Sequence, residues 1–374
     1  MSKAGLTKAI SSLIVAALLA TSGAALALGQ GKPGPITPPS ATPPKQAPSQ
    51  APPPQQPQQP QEKPPQYSVQ VQTQVVNMDV VVTDDNGNPI PGLKEPNFKV
   101  LVDNQPQTIS NFAPSDAPIT IVILMEFSQL YYGWFAYTGE NWAYSFLNQL
   151  RPQDWVALVT FDLRPKVLVD FTHNSMDVRQ ALQTLYFPGF READLYDSVL
   201  DTLNRLKDVK GKKSILIIAS GLNTFSRVNL DQVLSRLKET ETTIFAVSVA
   251  EPLYQWADAR GMLGSIQRLD FLQAENQMGA FARMTGGRAW FPRFDGEMPG
   301  IFQQVVESLR YQYSMAFSPT TPNDGKYHKI KVELVAPNGQ PLIMVDQRKK
   351  KVKYHIYARE GFMAPKSESA AEKK

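Results

Sequence analysis

Apolar and polar positions change rhythm along this chain. Between Tyr67 and Phe112 the runs are short. Val69-Gln70-Val71-Gln72 alternates with period two, Met78-Asp79-Val80-Val81-Val82 is mostly apolar, and Phe98 to Val102 and Thr108 to Phe112 are strand-like. Turn residues separate them at Asp85-Asn86-Gly87-Asn88, Pro89 to Leu93 and Asp103-Asn104. Short strands punctuated this often predict a small β-sandwich portion.

From Pro118 strands alternate with helices. Ile119 to Phe127 is nearly all apolar, which suits a central parallel strand buried on both faces. Trp155 to Phe161, Ser214 to Ala219 and Thr243 to Val249 read the same way, with Arg288 to Phe291 a shorter strand and Lys166 to Phe171 an antiparallel edge. Helices are predicted over Trp142–Leu150, Met176–Leu185, Leu195–Leu206, Leu230–Leu237, Phe271–Thr285 and Ile301–Arg310. After Arg310 strands return at Tyr311–Phe317, Tyr327–Val335, Pro341–Val345 and Lys353–Tyr357.

The fold class that follows is α/β: a doubly wound, mostly parallel sheet with a flanking β-sandwich built from N- and C-terminal segments. The expected divisions are 67–116 and 311–362 for the flanking strands and 117–310 for the α/β domain. Two separate β appendages are the alternative.

Composition narrows the chemistry. The 374 residues contain no cysteine and three histidines, His173, His328 and His355, far apart in sequence. That excludes a disulfide scaffold, a cysteine nucleophile and thiolate metal sites. Thirty-eight basic against 34 acidic residues leave a net charge of +4, too mild for a nucleic-acid binder. No G-x-x-x-x-G-K, G-x-G-x-x-G or G-x-S-x-G motif is present. The expectation is therefore a protein that is not an enzyme.

The first residues read as an export signal over 1–27. Lys3 and Lys8 precede an apolar run from Ala9 to Leu28, and Ala25-Leu26-Ala27 fits a cleavage site. An uncleaved membrane anchor is the alternative. Within 28–66, Gln30 to Gln66 holds 14 prolines and 9 glutamines, a composition that predicts a disordered spacer. In polyproline geometry it would reach on the order of 100 Å. The tail 363–374 is expected to be disordered as well.

In order along the chain, Met78-Asp79-Val80-Val81-Val82-Thr83-Asp84, Gly92 to Phe98, Ala117 to Leu124, Leu195-Tyr196-Asp197-Ser198-Val199, Ser220 to Ser226, Thr285 to Ala289 and Ala358 to Phe362 resemble one family. The α/β part resembles a von Willebrand factor type A domain. The whole of Val75 to Pro365 is similar to the VWFA-related family described from Acidobacteria.

The resemblance implies a metal-ion-dependent adhesion site at the C-terminal edge of the sheet. The family's first loop supplies Asp-x-Ser-x-Ser, its second a Thr and its third an Asp. Here Glu126 stands for the Asp, Ser128 remains, Leu130 replaces the second Ser, Ala193 stands for the Thr and Ser220 for the third-loop Asp. Asp194, beside Ala193, is a compensating carboxylate. A degenerate site is expected, with Glu126 a solvated carboxylate at a loop edge. Mg or Mn held by Glu126, Ser128 and Asp194 is the alternative.

Residues 131–146 carry eight aromatics in sixteen positions. Of these, Tyr131, Tyr132, Trp134 and Tyr137 are candidates for an exposed recognition patch in place of a cation. Packing into the core is the competing expectation. Arg348, Lys349, Lys350 and Lys351, with Lys353, form a basic run that could touch an anionic envelope surface or lie on a solvated hairpin. The functional expectation is an exported, non-enzymatic module for protein adhesion or assembly, its partner a protein outside the cytoplasm. A structural scaffold subunit of a cell-envelope complex is the alternative; a cation-dependent binder and an uncharacterised hydrolase are further ones.

Overall fold

The computed structural model describes residues 74–114, 118–185, 187–264, 266, 268–345 and 348–366, without the side chains of 137–143. The export signal, the proline-rich spacer, the alternating Val69 to Gln72 and most of the C-terminal tail lie outside the described residues.

The chain opens with β1 (Val76–Asp84), β2 (Phe98–Val102), β3 (Gln105–Gln107) and β4 (Ile109–Pro114). The α/β part follows: β5 (Thr120–Glu126), α1 (Gln129–Leu147), β6 (Trp155–Phe161), β7 (Pro165–Thr172), α2 (Ser175–Gln183) and α3 (Leu195–Leu206). It continues with β8 (Lys213–Ala219), α4 (Leu230–Glu239), β9 (Thr243–Ser248), α5 (Ala250–Asp258), α6 (Arg268–Thr285), β10 (Ala289–Trp290) and α7 (Met298–Arg310). The C-terminal strands are β11 (Tyr313–Phe317), β12 (Tyr327–Leu334), β13 (Met344–Val345), β14 (Lys351–Val352), β15 (Tyr354–Tyr357) and β16 (Gly361–Met363).

A six-stranded sheet runs in the order β10-β9-β8-β5-β6-β7. All its pairings are parallel except β6 with β7, so the expected antiparallel edge is present. Successive residues of β5 face opposite layers. Ile121, Ile123 and Met125 pack with α1, α5 and α7, whereas Val122 and Leu124 pack with α3 and α4. Both faces are covered, which is why the central strands are apolar without alternation.

Two four-stranded sheets, β15-β1-β11-β4 and β16-β12-β2-β3, share one core. Each mixes strands from both ends of the chain, because β1 pairs antiparallel with β11 and β15 while β2 pairs with β12. The expected sandwich built from two distant segments is therefore what the chain forms, rather than two separate appendages.

The sandwich is fastened to the α/β part at the turn after β1. Arg288 donates to the Gly87 carbonyl at 3.2 Å, and its guanidinium lies over the rings of Trp290 and Tyr357. Gln304 donates to the Asn86 carbonyl and accepts from the Trp290 indole. Gly87 sits at φ +85°, and a Cβ there would come within 2.6 Å of Arg288.

Two helices depart from the sequence reading. α1 begins at Gln129, well before Trp142, because the Ser128 side chain accepts from the Tyr131 N–H and caps it. α5 had no counterpart in the prediction. It starts directly after β9, and its Pro252 falls in the first turn, where a missing N–H costs little. The two helices touch closely: a Cβ on Gly133 of α1 would lie 2.5 Å from the Trp256 ring of α5.

Candidate functional site

The parallel strands deliver the ends of β5 and β8 to one edge of the sheet, with Met125 level with Ile218. Three loops meet there and are stitched by backbone bonds. Gln129 N donates to Phe190 O at 2.8 Å, Asp194 N to Asp162 O at 2.7 Å, and Thr224 N to Ala193 O at 2.9 Å. The Thr224 hydroxyl in turn accepts from the Ala193 N–H at 2.9 Å.

At the centre is Glu126, which is 2% exposed. It is a buried carboxylate, and the expectation of a solvated loop-edge group is corrected. Ser128 Oγ donates to Glu126 Oε1 at 2.6 Å. The Ser220 N–H at 2.8 Å and its hydroxyl at 2.6 Å both donate to Glu126 Oε2. Each serine oxygen is itself used as an acceptor, Ser128 by Tyr131 N and Ser220 by Leu222 N. Burial pushes the Glu126 pKa above the usual carboxylate range, against the lowering effect of the serine hydrogen bonds. Burial, with a further contribution from the charge of Glu126, also raises the Tyr131 phenol.

Asp194 does not join this cluster. It caps α3, its Oδ1 accepting from Asp197 N at 3.2 Å and from Ser226 Oγ at 2.6 Å. Burial raises its pKa as well, with the neighbouring Asp197 adding to the effect. Leu130 points into the hydrophobic core, and Ala193 contributes no side-chain oxygen.

A divalent cation such as magnesium requires several oxygens in near-octahedral array. These residues do not fit one. Both Glu126 oxygens are already occupied by hydrogen-bond donors from Ser128 and Ser220. Among the described residues no group of three or more His, Asp or Glu is placed to hold a metal.

The aromatic candidates divide. Tyr131 and Trp134 are buried in the core of the α/β part, which corrects the expectation that they form an exposed patch. Once α1 starts at Gln129, positions 131 and 134 fall three apart on its inward face. Trp134 Nε1 also donates to Asp295 at 3.1 Å. Tyr132 is half-buried at the edge, against the rings of Phe127 and Phe187. The side chains of Tyr137 and Trp142 lie outside the described residues.

What sequence reading missed is a set of phenylalanines. Phe187 is 86% exposed, Phe190 48% and Phe225 56%. All three lie on the loops stitched around Glu126, since Phe190 accepts from Gln129 N and Phe225 N approaches Ala193 O. Phe187, Phe190 and Phe225 sit in segments rich in Pro, Gly and Asn, so no periodicity singled them out. Arg348, Lys349, Lys350 and Lys351 are exposed at the turn of the β13–β14 hairpin.

No protein-family model matches the sequence, and no curated protein matches it. Solved structures do resemble it in fold. The conserved hypothetical protein BatB from Bacteroides thetaiotaomicron is 11% identical, with 51% of this chain and 98% of that chain covered and a TM-score of 0.37. A von Willebrand factor type A protein from Catenulispora acidiphila is 8% identical, with 82% and 77% covered and a TM-score of 0.41. Proximal thread matrix protein 1 from the mussel byssus is 12% identical, with 56% and 51% covered and a TM-score of 0.40. At these identities and scores the likenesses add nothing to what the strand order itself establishes.

Proposed function

We propose that this chain is an exported, non-enzymatic protein-binding module of the VWFA-related family described from Acidobacteria. Its docking face is the sheet edge around Glu126, and it works without a metal ion. The observation that carries the reading is a juxtaposition. The carboxylate at the heart of the edge has every oxygen engaged by Ser128 and Ser220, while Phe187, Phe190 and Phe225 stand exposed on the surrounding loops. Exposed aromatics on rigidly stitched loops provide large contact area at low ordering cost. Tyr132 supports Phe187 from beneath.

Burial of Tyr131 and Trp134 favours the second reading, a structural scaffold subunit of the cell envelope, over recognition through α1. The phenylalanines restore a surface for a partner. Arg348, Lys349, Lys350 and Lys351 would add contact with an anionic envelope surface. Among the described residues no helix is long and apolar enough to cross a membrane.

The test is capture of partners from an envelope extract by the full chain, with and without EDTA. Capture that ignores EDTA and is lost in the triple variant F187S/F190S/F225S supports the proposal. Capture abolished by EDTA, or retained by the triple variant, overturns it.

A further inference from the structure

A cleft of about 320 Å³ separates the outer face of β1, β4 and β11 from the base of the α/β sheet. Its polarity follows from strand alternation. Val76, Met78 and Val80 point into the sandwich core, so Asn77 and Asp79 face outward into the cleft. Asn111 joins them from β4, Lys212 and Glu241 come from the α/β part, and Arg359 from the connection between β15 and β16 completes the lining.

The charges are not equally satisfied. Lys212 Nζ bridges the cleft to Asp79 at 2.9 Å and also donates to Gln312 at 2.9 Å. Ser314 Oγ donates to Asp79 at 2.5 Å, so that carboxylate is matched. Arg359 is different. Its Nε donates to the Gly361 carbonyl at 2.7 Å, and among the described residues no carboxylate lies within ion-pair distance of it. The Tyr327 phenol and, more weakly, the exposed Glu241 act on it through space. Guanidinium keeps its proton in proteins, so a half-buried Arg with unused terminal nitrogens is complementary to a planar or tetrahedral oxyanion. The Asn77 and Asn111 side-chain amides, which donate and accept, line the same space.

We propose that this cleft binds a small oxyanion, a carboxylate or a phosphate, on the terminal nitrogens of Arg359, with Asn77 and Asn111 contacting its polar body. The site lies at the opposite end of the α/β strands from Glu126, because Lys213 and Thr243 open β8 and β9. It is independent of the docking face proposed above.

Calorimetric titration of the full chain with citrate and, separately, with inorganic phosphate tests the site, with sodium chloride at matched ionic strength as the control. Saturable binding of either anion, weakened about tenfold or more by R359Q and measurably by N111A, is the expected result. The stronger of the two anions identifies the ligand class. Should R359Q fail to fold by circular dichroism, R359K retains the charge without the fork and is expected to weaken binding. The proposal is overturned if neither anion binds beyond the chloride control. It is equally overturned if folded Arg359 and Asn111 variants bind as the wild type does, or if K349A/K351A on the remote hairpin removes the binding instead.

Discussion

Glu126 and Ser220, 94 positions apart in the chain, are joined twice: the Ser220 N–H and its hydroxyl both donate to Glu126 Oε2, at 2.8 and 2.6 Å. The carboxylate and the serine therefore act as one structural unit. Ser220 offers a short hydroxyl and Glu126 a long carboxylate, and the pair closes the gap between the ends of the adjacent strands β5 and β8. Glu126→Asp shortens that reach and leaves buried polar atoms unmatched. A loss of about 1–3 kcal/mol in urea denaturation is expected. A variant as stable as the wild type would show that the contact is dispensable.

Because Glu126 is occupied internally, magnesium or manganese at millimolar concentration is expected to leave the Tm unchanged. A clear upward shift that Glu126→Ala removes would contradict this, since a ligand of the folded state alone must stabilise it.

His328 lies between two carboxylates, Asp103 at 2.7 Å from Nδ1 and Asp324 at 3.2 Å from Nε2. The hydrogen bond to Asp103, reinforced by Asp324, holds the imidazole pKa above its ordinary 6.5 even though burial opposes it. A raised histidine stabilises fully below the unfolded value and loses that contribution as pH rises through the folded one. Asp103 is lowered by its bond from His328, and Asp324 chiefly by the Lys326 N–H, so their share is lost as pH falls through their folded values. Thermal melts are expected to show stability falling as pH rises above 6.5, with the slope reduced in His328→Gln. An unchanged slope in that variant would remove His328 as its source.

The buried pair Arg310–Asp154 at 2.7 Å ties α7 to the start of β6. Asp154 also accepts from the N–H groups of Ile119 and Arg151. Burial works to raise the Asp154 pKa, but these bonds outweigh it and the net displacement is downward. Arg310→Ala strands the carboxylate and is expected to cost about 3–5 kcal/mol. Arg310→Lys, which keeps a cation in reach of Asp154, is expected to cost less than Arg310→Ala in the same denaturation assay, and an equal cost would assign the loss to packing.

The strands of the α/β sheet were legible because burial on both faces leaves unbroken apolar runs such as Ile121 to Met125. α3 was legible because Leu195, Val199, Leu203 and Leu206 repeat at helical spacing. α1 was not, because its aromatics, four of them tyrosines, and Gly133 in its second turn obscure the amphipathic stripe; Gly133 is explained by Trp256, which only the fold brings near. At the site, sequence singled out Glu126, Ser128 and Ser220 as positions of interest. It could not show that Glu126 and Ser220 compensate each other, since that depends on β5 and β8 being neighbours. The exposed phenylalanines carry no periodic signal at all.

The pairing of β1 with β11 and β15 bears on how the molecule is made. β1 leaves the ribosome more than two hundred residues before Tyr313, the partner of its Val80. At ~5–20 residues per second that interval is on the order of ten to fifty seconds. Throughout it, Val80, Val81 and Val82 form an uncovered apolar edge, the kind of segment that invites aggregation. The nascent chain thus carries a waiting strand, and its yield should respond to whatever shields that strand during synthesis.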